Sequence, residues 1–105
     1  MKKNNAKEET KRLDVNEVKL SGVVKNVLHQ SDKVVTFTIC TESKADTEKG
    51  STVNFPTIKW FNPSDKVEEG DTLAIYGYYH TGSYEKDGKR YYTTDVVANK
   101  VEALQ

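Results

Sequence analysis

Cysteine is almost absent. Of 105 residues only Cys40 carries a thiol, which excludes an internal disulfide and fits a reducing cytoplasm, the expected location. Cys40 lies in a strand-like run, where packing is its expected role. Long apolar runs are missing as well. No stretch approaches the roughly 20 residues of a helical membrane span. The N-terminal lysines are not followed by the apolar segment that a secretory signal requires. Histidine is limited to His29 and His80, which with one cysteine offer no paired metal-ligand spacing. No nucleophile-elbow, phosphate-loop or dinucleotide pattern occurs. The expectation is therefore a protein that is not an enzyme, with no cofactor and no bound metal.

An excess of charge of one sign is also lacking. Sixteen Lys and Arg balance sixteen Asp and Glu, which argues against an indiscriminate binder of polyanions. The balance is uneven along the chain. Residues 1–12, MKKNNAKEETKR, hold five basic and two acidic groups, so they carry +3 and the other 93 residues carry −3. This stretch has no apolar periodicity and is expected to be a flexible basic arm. Residues 13–105 are then one small domain, polar in composition at 35 % hydrophobic and 30 % charged.

What is present reads as strands. Val15–Gln30 places Val18, Leu20, Val24 and Leu28 at roughly alternate positions, with Gly22 marking a bulge or bend. Lys33–Thr41 alternates Val35, Phe37 and Ile39 with Thr36 and Thr38, and the short link before it predicts a hairpin. Glu42–Ser51 reads as a charged loop. Thr52–Phe61 is a third strand, which Pro56 confines to an edge, an end or a bulge. Asn62–Asp71 is a polar connector, and Asp65, Glu68, Glu69 and Asp71 make it acidic and unsuited to phosphate. Thr72–His80 and Arg90–Leu104 are the fourth and fifth strands. Between them Asp87-Gly88 is a strong hairpin-turn signal. Five glycine-bent strands suggest a closed all-β barrel, because closure removes exposed edges.

Three segments carry a resemblance. NEVKLSG (Asn16–Gly22), EEGDTLAIYG (Glu68–Gly77) and DGKRYYTTDVVANKVEAL (Asp87–Leu104) resemble, in order and rough spacing, the motifs of bacterial single-stranded DNA-binding proteins. That resemblance implies an oligonucleotide-binding (OB) fold, a five-stranded barrel with a long hairpin between its fourth and fifth strands. The family's helix between strands three and four has little room here, and its acidic C-terminal tail is absent. A shortened relative is the expectation, such as one from a mobile element or a primosomal cousin.

Binding a single strand needs cations for phosphates and flat rings for bases. The candidate cations are Lys25, Lys33, Lys59, Lys86, Lys89 and Arg90. The candidate rings are Phe55, Trp60, Phe61, Tyr78, Tyr79, Tyr84, Tyr91 and Tyr92. The resemblance places Phe55 and Phe61 at base-stacking positions of the third strand and Tyr84 at the aromatic of the long hairpin. It also implies a binding face of strands two and three with loops 1–2 and 4–5, which holds Lys33, Tyr84, Lys86, Lys89 and Arg90. Trp60 and Phe61 must point to opposite sides, and Trp60 is taken as the more exposed. Tyr76, Tyr78, Tyr91 and Tyr92 also suit strands by propensity alone. The site expected is Lys33, Phe55, Lys59, Trp60, Phe61, Tyr78, Tyr84, Lys86, Lys89 and Arg90.

The expected function is sequence-tolerant binding of single-stranded DNA in replication, repair, recombination or mobile-element transfer. Single-stranded RNA is a further candidate ligand, and a homo-oligomer (dimer or tetramer) is implied by the resemblance. The alternative is a protein-interaction OB module, docking a replication or conjugation protein with weak or no nucleic-acid binding.

Overall fold

The computed structural model describes residues 14–44 and 50–104, so the basic arm expected over residues 1–12 lies outside the described residues. Six strands follow one another: β1 (Val18–Gln30), β2 (Val34–Lys44), β3 (Ser51–Asn54), β4 (Thr57–Phe61), β5 (Thr72–Lys86) and β6 (Lys89–Ala103). There is no helix among the described residues. The sheet runs β1-β5-β6-β4-β2-β3, and β1 also pairs with β2, so five strands close into a barrel with β3 as an extension on β2. Every pairing is antiparallel except β4 with β6. The fold is the all-β OB barrel expected.

The core follows the alternation read in the chain. Val35, Phe37 and Ile39 of β2 are fully buried, with Ile58, Ile75, Val24 and Val96 from the neighbouring strands. β1 departs from simple alternation. Its register against β2 shifts between Val24 and Asn26 and again between Val27 and His29. The one extra residue at the first shift changes the phase, so Val27 packs against the core, while Leu28, expected inside, falls in the second shift and is 60 % exposed. Gly22 is not itself the bulge. It lies where β1 passes from β5 to β2, and an added Cβ there would fall on the backbone carbonyl of Cys40.

The expected third strand is broken at Phe55-Pro56. Proline forces the preceding residue into an extended conformation and donates nothing to the ladder. β3 and β4 are the halves on either side, and both pair with β2. β2 runs to Lys44 and β3 begins at Ser51, so the ends of the expected charged loop are strand. Together they form an arm beyond the barrel wall. Residues 45–49 of that loop lie outside the described residues.

The connector of residues 62–71 does more than link strands. Val67 is buried and seals one end of the barrel. The Gln30 side chain donates to the Val67 carbonyl at 3.0 Å, and its Oε1 accepts from the Val67 N–H at 2.8 Å. The Val24 N–H donates to the Asp71 carbonyl, and the Val24 carbonyl accepts from Gly70. The connector thus takes over the edge of β1 where β5 ends.

At the other end β5 and β6 leave the barrel as a two-stranded ribbon. β1 covers β5 only as far as Gly77, and β4 covers β6 only from Val96 to Ala98. The hairpin pairs continuously to Lys86 and Lys89. Asp87 and Gly88 have φ of 54° and 78°, a two-residue turn with both centres left-handed, which suits aspartate followed by glycine. The segment Thr81–Lys89, read as a loop, is therefore strand almost to its tip.

Candidate nucleic-acid interface

The strand registers assign the paired candidates to faces. Across the barrel wall Thr36 pairs with Lys59, Lys59 with Val97, and Val97 with Tyr78. Ile58 and Trp60, the alternate residues of β4, are buried, so this row faces outward. Phe61 is on the same side of β4, paired with Val34. Pairing continues without a shift from Gly77 to Lys86, so the Tyr78 face carries on along the ribbon through His80 and Gly82 to Tyr84 and Lys86. Their partners on β6 are Asp95, Thr93, Tyr91 and Lys89. Lys59, Phe61, Tyr78, Tyr84, Lys86 and Lys89 therefore share one outer flank. Six residues separate Tyr78 from Tyr84, about 20 Å along the strand.

The remaining candidates do not join them. Trp60 is 8 % exposed and Phe61 53 %, so the expected order of the two rings is reversed. Trp60 points inward against Val35 and Ala98 because β4 alternates in phase with buried Ile58. Arg90 is on the opposite side of the ribbon, opposite Glu85. It donates to Ser83 Oγ at 2.9 Å and lies 3.6 Å from Glu85, so much of its charge is answered locally. Phe55 sits in the break between β3 and β4, near the open end of the barrel. Lys33 is exposed in the β1–β2 turn at the connector end, where its carbonyl accepts from the Asn62 N–H at 2.8 Å.

The electrostatics of the outer flank are graded along its length. Lys59 is 3.6 Å from Asp95, a half-buried carboxylate, and this pairing tempers its charge. Lys86 and Lys89 face each other across the hairpin, and among the described residues neither has an ion-pair partner. Paired across the turn, the two lysines leave the same face of the hairpin, and two like charges on one face favour an external anion. Next to them the Tyr84 and Tyr91 rings stack, with centroids 5.4 Å apart and planes 23° apart. An isolated two-stranded ribbon is marginal in water, and a cross-strand aromatic pair stiffens it. The outer surface of that pair remains open, since Tyr84 and Tyr91 are both exposed.

Besides Tyr91, two exposed rings were not among the ten site residues expected. Tyr79 faces the barrel interior by register but lies beyond its wall, and Tyr92 is the most exposed aromatic of the ribbon. Alternation across the Tyr78-Tyr79 pair was the signal that one ring would face each way. Among the described residues no three of His, Cys, Asp and Glu gather where they could hold a metal ion, and no helix is long and apolar enough to cross a membrane.

No protein-family model matches the chain, and no curated protein matches it in sequence. Solved structures do match. A Plasmodium falciparum single-stranded DNA-binding protein, in complex with single-stranded DNA, superposes with a TM-score of 0.69 at 19 % identity, over 91 % of this chain and all of that one. This chain has the fold of single-stranded DNA-binding proteins. A deletion mutant of the Thermus aquaticus protein gives a TM-score of 0.69 at 16 % identity, over 87 % of this chain and 51 % of that one. A small single-stranded DNA-binding protein from Streptomyces coelicolor gives 0.60 at 17 % identity, covering 83 % and 92 %.

Proposed function

We propose that the chain binds single-stranded DNA without strict sequence preference, along the outer flank of β4, β6 and β5 and onward over the ribbon. The observation that carries this reading is the continuous face holding Phe61, Lys59, Tyr78, Tyr84, Lys86 and Lys89, on a barrel whose fold is that of a protein solved with single-stranded DNA. Rings accept unstacked bases and contribute about 1–3 kcal/mol each, whatever the sequence. Lys86 and Lys89 take phosphate at the far end, and Lys59 does so where a phosphate competes with Asp95. Such a surface protects a strand and keeps it unpaired, as replication, repair, recombination or mobile-element transfer requires. With few cations on one copy, the flank suits a homo-oligomer that lays several copies along one strand.

The test is fluorescence anisotropy with labelled oligo(dT), oligo(rU) and duplex of equal length at two salt concentrations. Salt-sensitive binding of oligo(dT) above the other two is the expected result. Binding of oligo(rU) equal to oligo(dT) would make RNA the ligand. No binding to any of the three at low salt would favour a protein-interaction module instead. Trp60 is the only tryptophan and is buried, so its emission serves as a control for folding. Light scattering of the same sample gives the oligomeric state.

A further inference from the structure

The open end of the barrel holds a second feature. A trough lies there between the β2–β3 arm and the root of the ribbon, lined by Leu20, Thr41, Ser43, Asn54, Phe55 and Tyr79, with Pro56 beside them. Phe55 and Tyr79 enter from different elements and are 57 % and 54 % exposed. Among the described residues neither ring stacks on another. Both are held from behind. Phe55 is kept extended by Pro56, whose carbonyl accepts from the Ile39 N–H. Tyr79 is fixed at its backbone: Asn16 Nδ2 donates to the Tyr79 carbonyl at 2.9 Å, and Asn16 Oδ1 accepts from its N–H at 3.0 Å. Val18 pairs with Gly77, so the Asn16 amide continues the β1–β5 ladder by one more step through a side chain.

The polar side of the trough is organised too. Asn54 Nδ2 donates to Ser43 Oγ at 3.1 Å, and Ser43 Oγ lies 3.3 Å from Thr52 Oγ1. This uses one amide hydrogen of Asn54 and orients the group, leaving its other N–H and its carbonyl oxygen for a ligand. Apolar and aromatic surface beside a fixed donor–acceptor pair matches one chemical class here, an unstacked nucleobase. The faces of a base need rings, and its edge needs a donor and an acceptor side by side.

We propose that this trough takes a single base of the bound strand, with Phe55 and Tyr79 against its faces and Asn54 reading its edge. Asn16 is the positioning residue for Tyr79. The proposal rests on single-strand binding along the outer flank. It adds that one nucleotide leaves that flank at the ribbon root and enters the barrel mouth, and that base preference arises there.

The experiment compares oligo(dT), oligo(dC) and oligo(dA) affinities for the full chain and its variants, with Trp60 emission and melting temperature as fold controls. Tyr79→Ala is expected to weaken all three about tenfold. Asn54→Ala is expected to bring the three affinities closer together while leaving the melting temperature unchanged. Asn16→Ala should reproduce part of the Tyr79→Ala loss and add little in the double variant, because both act on one ring. The proposal is overturned if Tyr79→Ala binds as the parent does, or if Asn54→Ala keeps the parent's spread among the homopolymers. In either case retained oligo(dT) binding leaves the outer-flank reading standing. Failure of the parent chain to bind any homopolymer overturns both.

Discussion

The two ends of the barrel are built with the same device and finished differently. At each end of β1 a side-chain carboxamide engages both backbone groups of a residue in another element. Gln30 holds Val67, and Asn16 holds Tyr79. At the connector end the residue held is apolar and buried, the surrounding loop is acidic, and the barrel is sealed. At the ribbon end the residue held is an exposed ring, and the strands run on past the wall with further rings and two uncompensated lysines. The difference separates stability from binding. One end removes apolar surface from water, whereas the other leaves it out on a stiffened frame. Holding a ring in advance lowers the ordering cost that a ligand would otherwise meet.

Substitutions can break or sharpen this contrast. The largest effect is expected from Val67→Asp, which buries an unpaired carboxylate in the seal at a cost of several kcal/mol. In a domain of this size that lowers the melting temperature by more than about 10 °C. Oligo(dT) affinity per folded molecule should stay within about twofold, checked by calorimetry and anisotropy at low temperature; a selective loss of affinity would erase the distinction between the ends. Next is Gly77→Ala. An added Cβ there meets the Val97 carbonyl where β6 bulges, so about 1–3 kcal/mol of stability should be lost at the root of the ribbon. Denaturant titration measures it, and an unchanged midpoint would show that the strands slide apart at no cost.

Tyr84→Ala should do the reverse of Val67→Asp. Affinity for oligo(dT) is expected to fall by about 1–3 kcal/mol, while stability changes by less than about 1 kcal/mol, the scale of one cross-strand pair. Equal losses in both would mean that the Tyr84–Tyr91 stack serves the ribbon alone. The smallest effect is electrostatic. Replacing Lys86 and Lys89 by alanine should flatten the salt dependence of log K by about 1.4, at roughly 0.7 for each phosphate of a single strand that is no longer neutralised. Arg90→Ala should change it less, since Glu85 already shares its charge.

Much of the barrel was legible because core strands leave a plain alternation. Val35, Phe37 and Ile39 carry it without interruption, and Asp87-Gly88 names its own turn. Leu28 was misread because one bulge in β1 turns Val27 inward and Leu28 itself lies in the next, and a bulge is set by the partner strand and the connector that replaces it. The inward turn of Trp60 escaped a reading of adjacent residues: two neighbours must point apart, but only the depth of Ile58 says which one points inward. Arg90 looked like a companion of Lys89 in the chain, yet neighbours on a strand face opposite ways once the loop becomes a ribbon.

The chain alone determined a closed β-barrel with a tight hairpin and a supply of rings and cations. Periodicity and turn chemistry are local and survive without knowledge of partners. Which side of the sheet each ring faces was decided only in the folded molecule, as were the split of the candidates between an outer flank and the barrel mouth and the clamping of Tyr79 by Asn16. Strand register and bulges are pairwise properties, and a residue 63 positions away along the chain supplies that clamp.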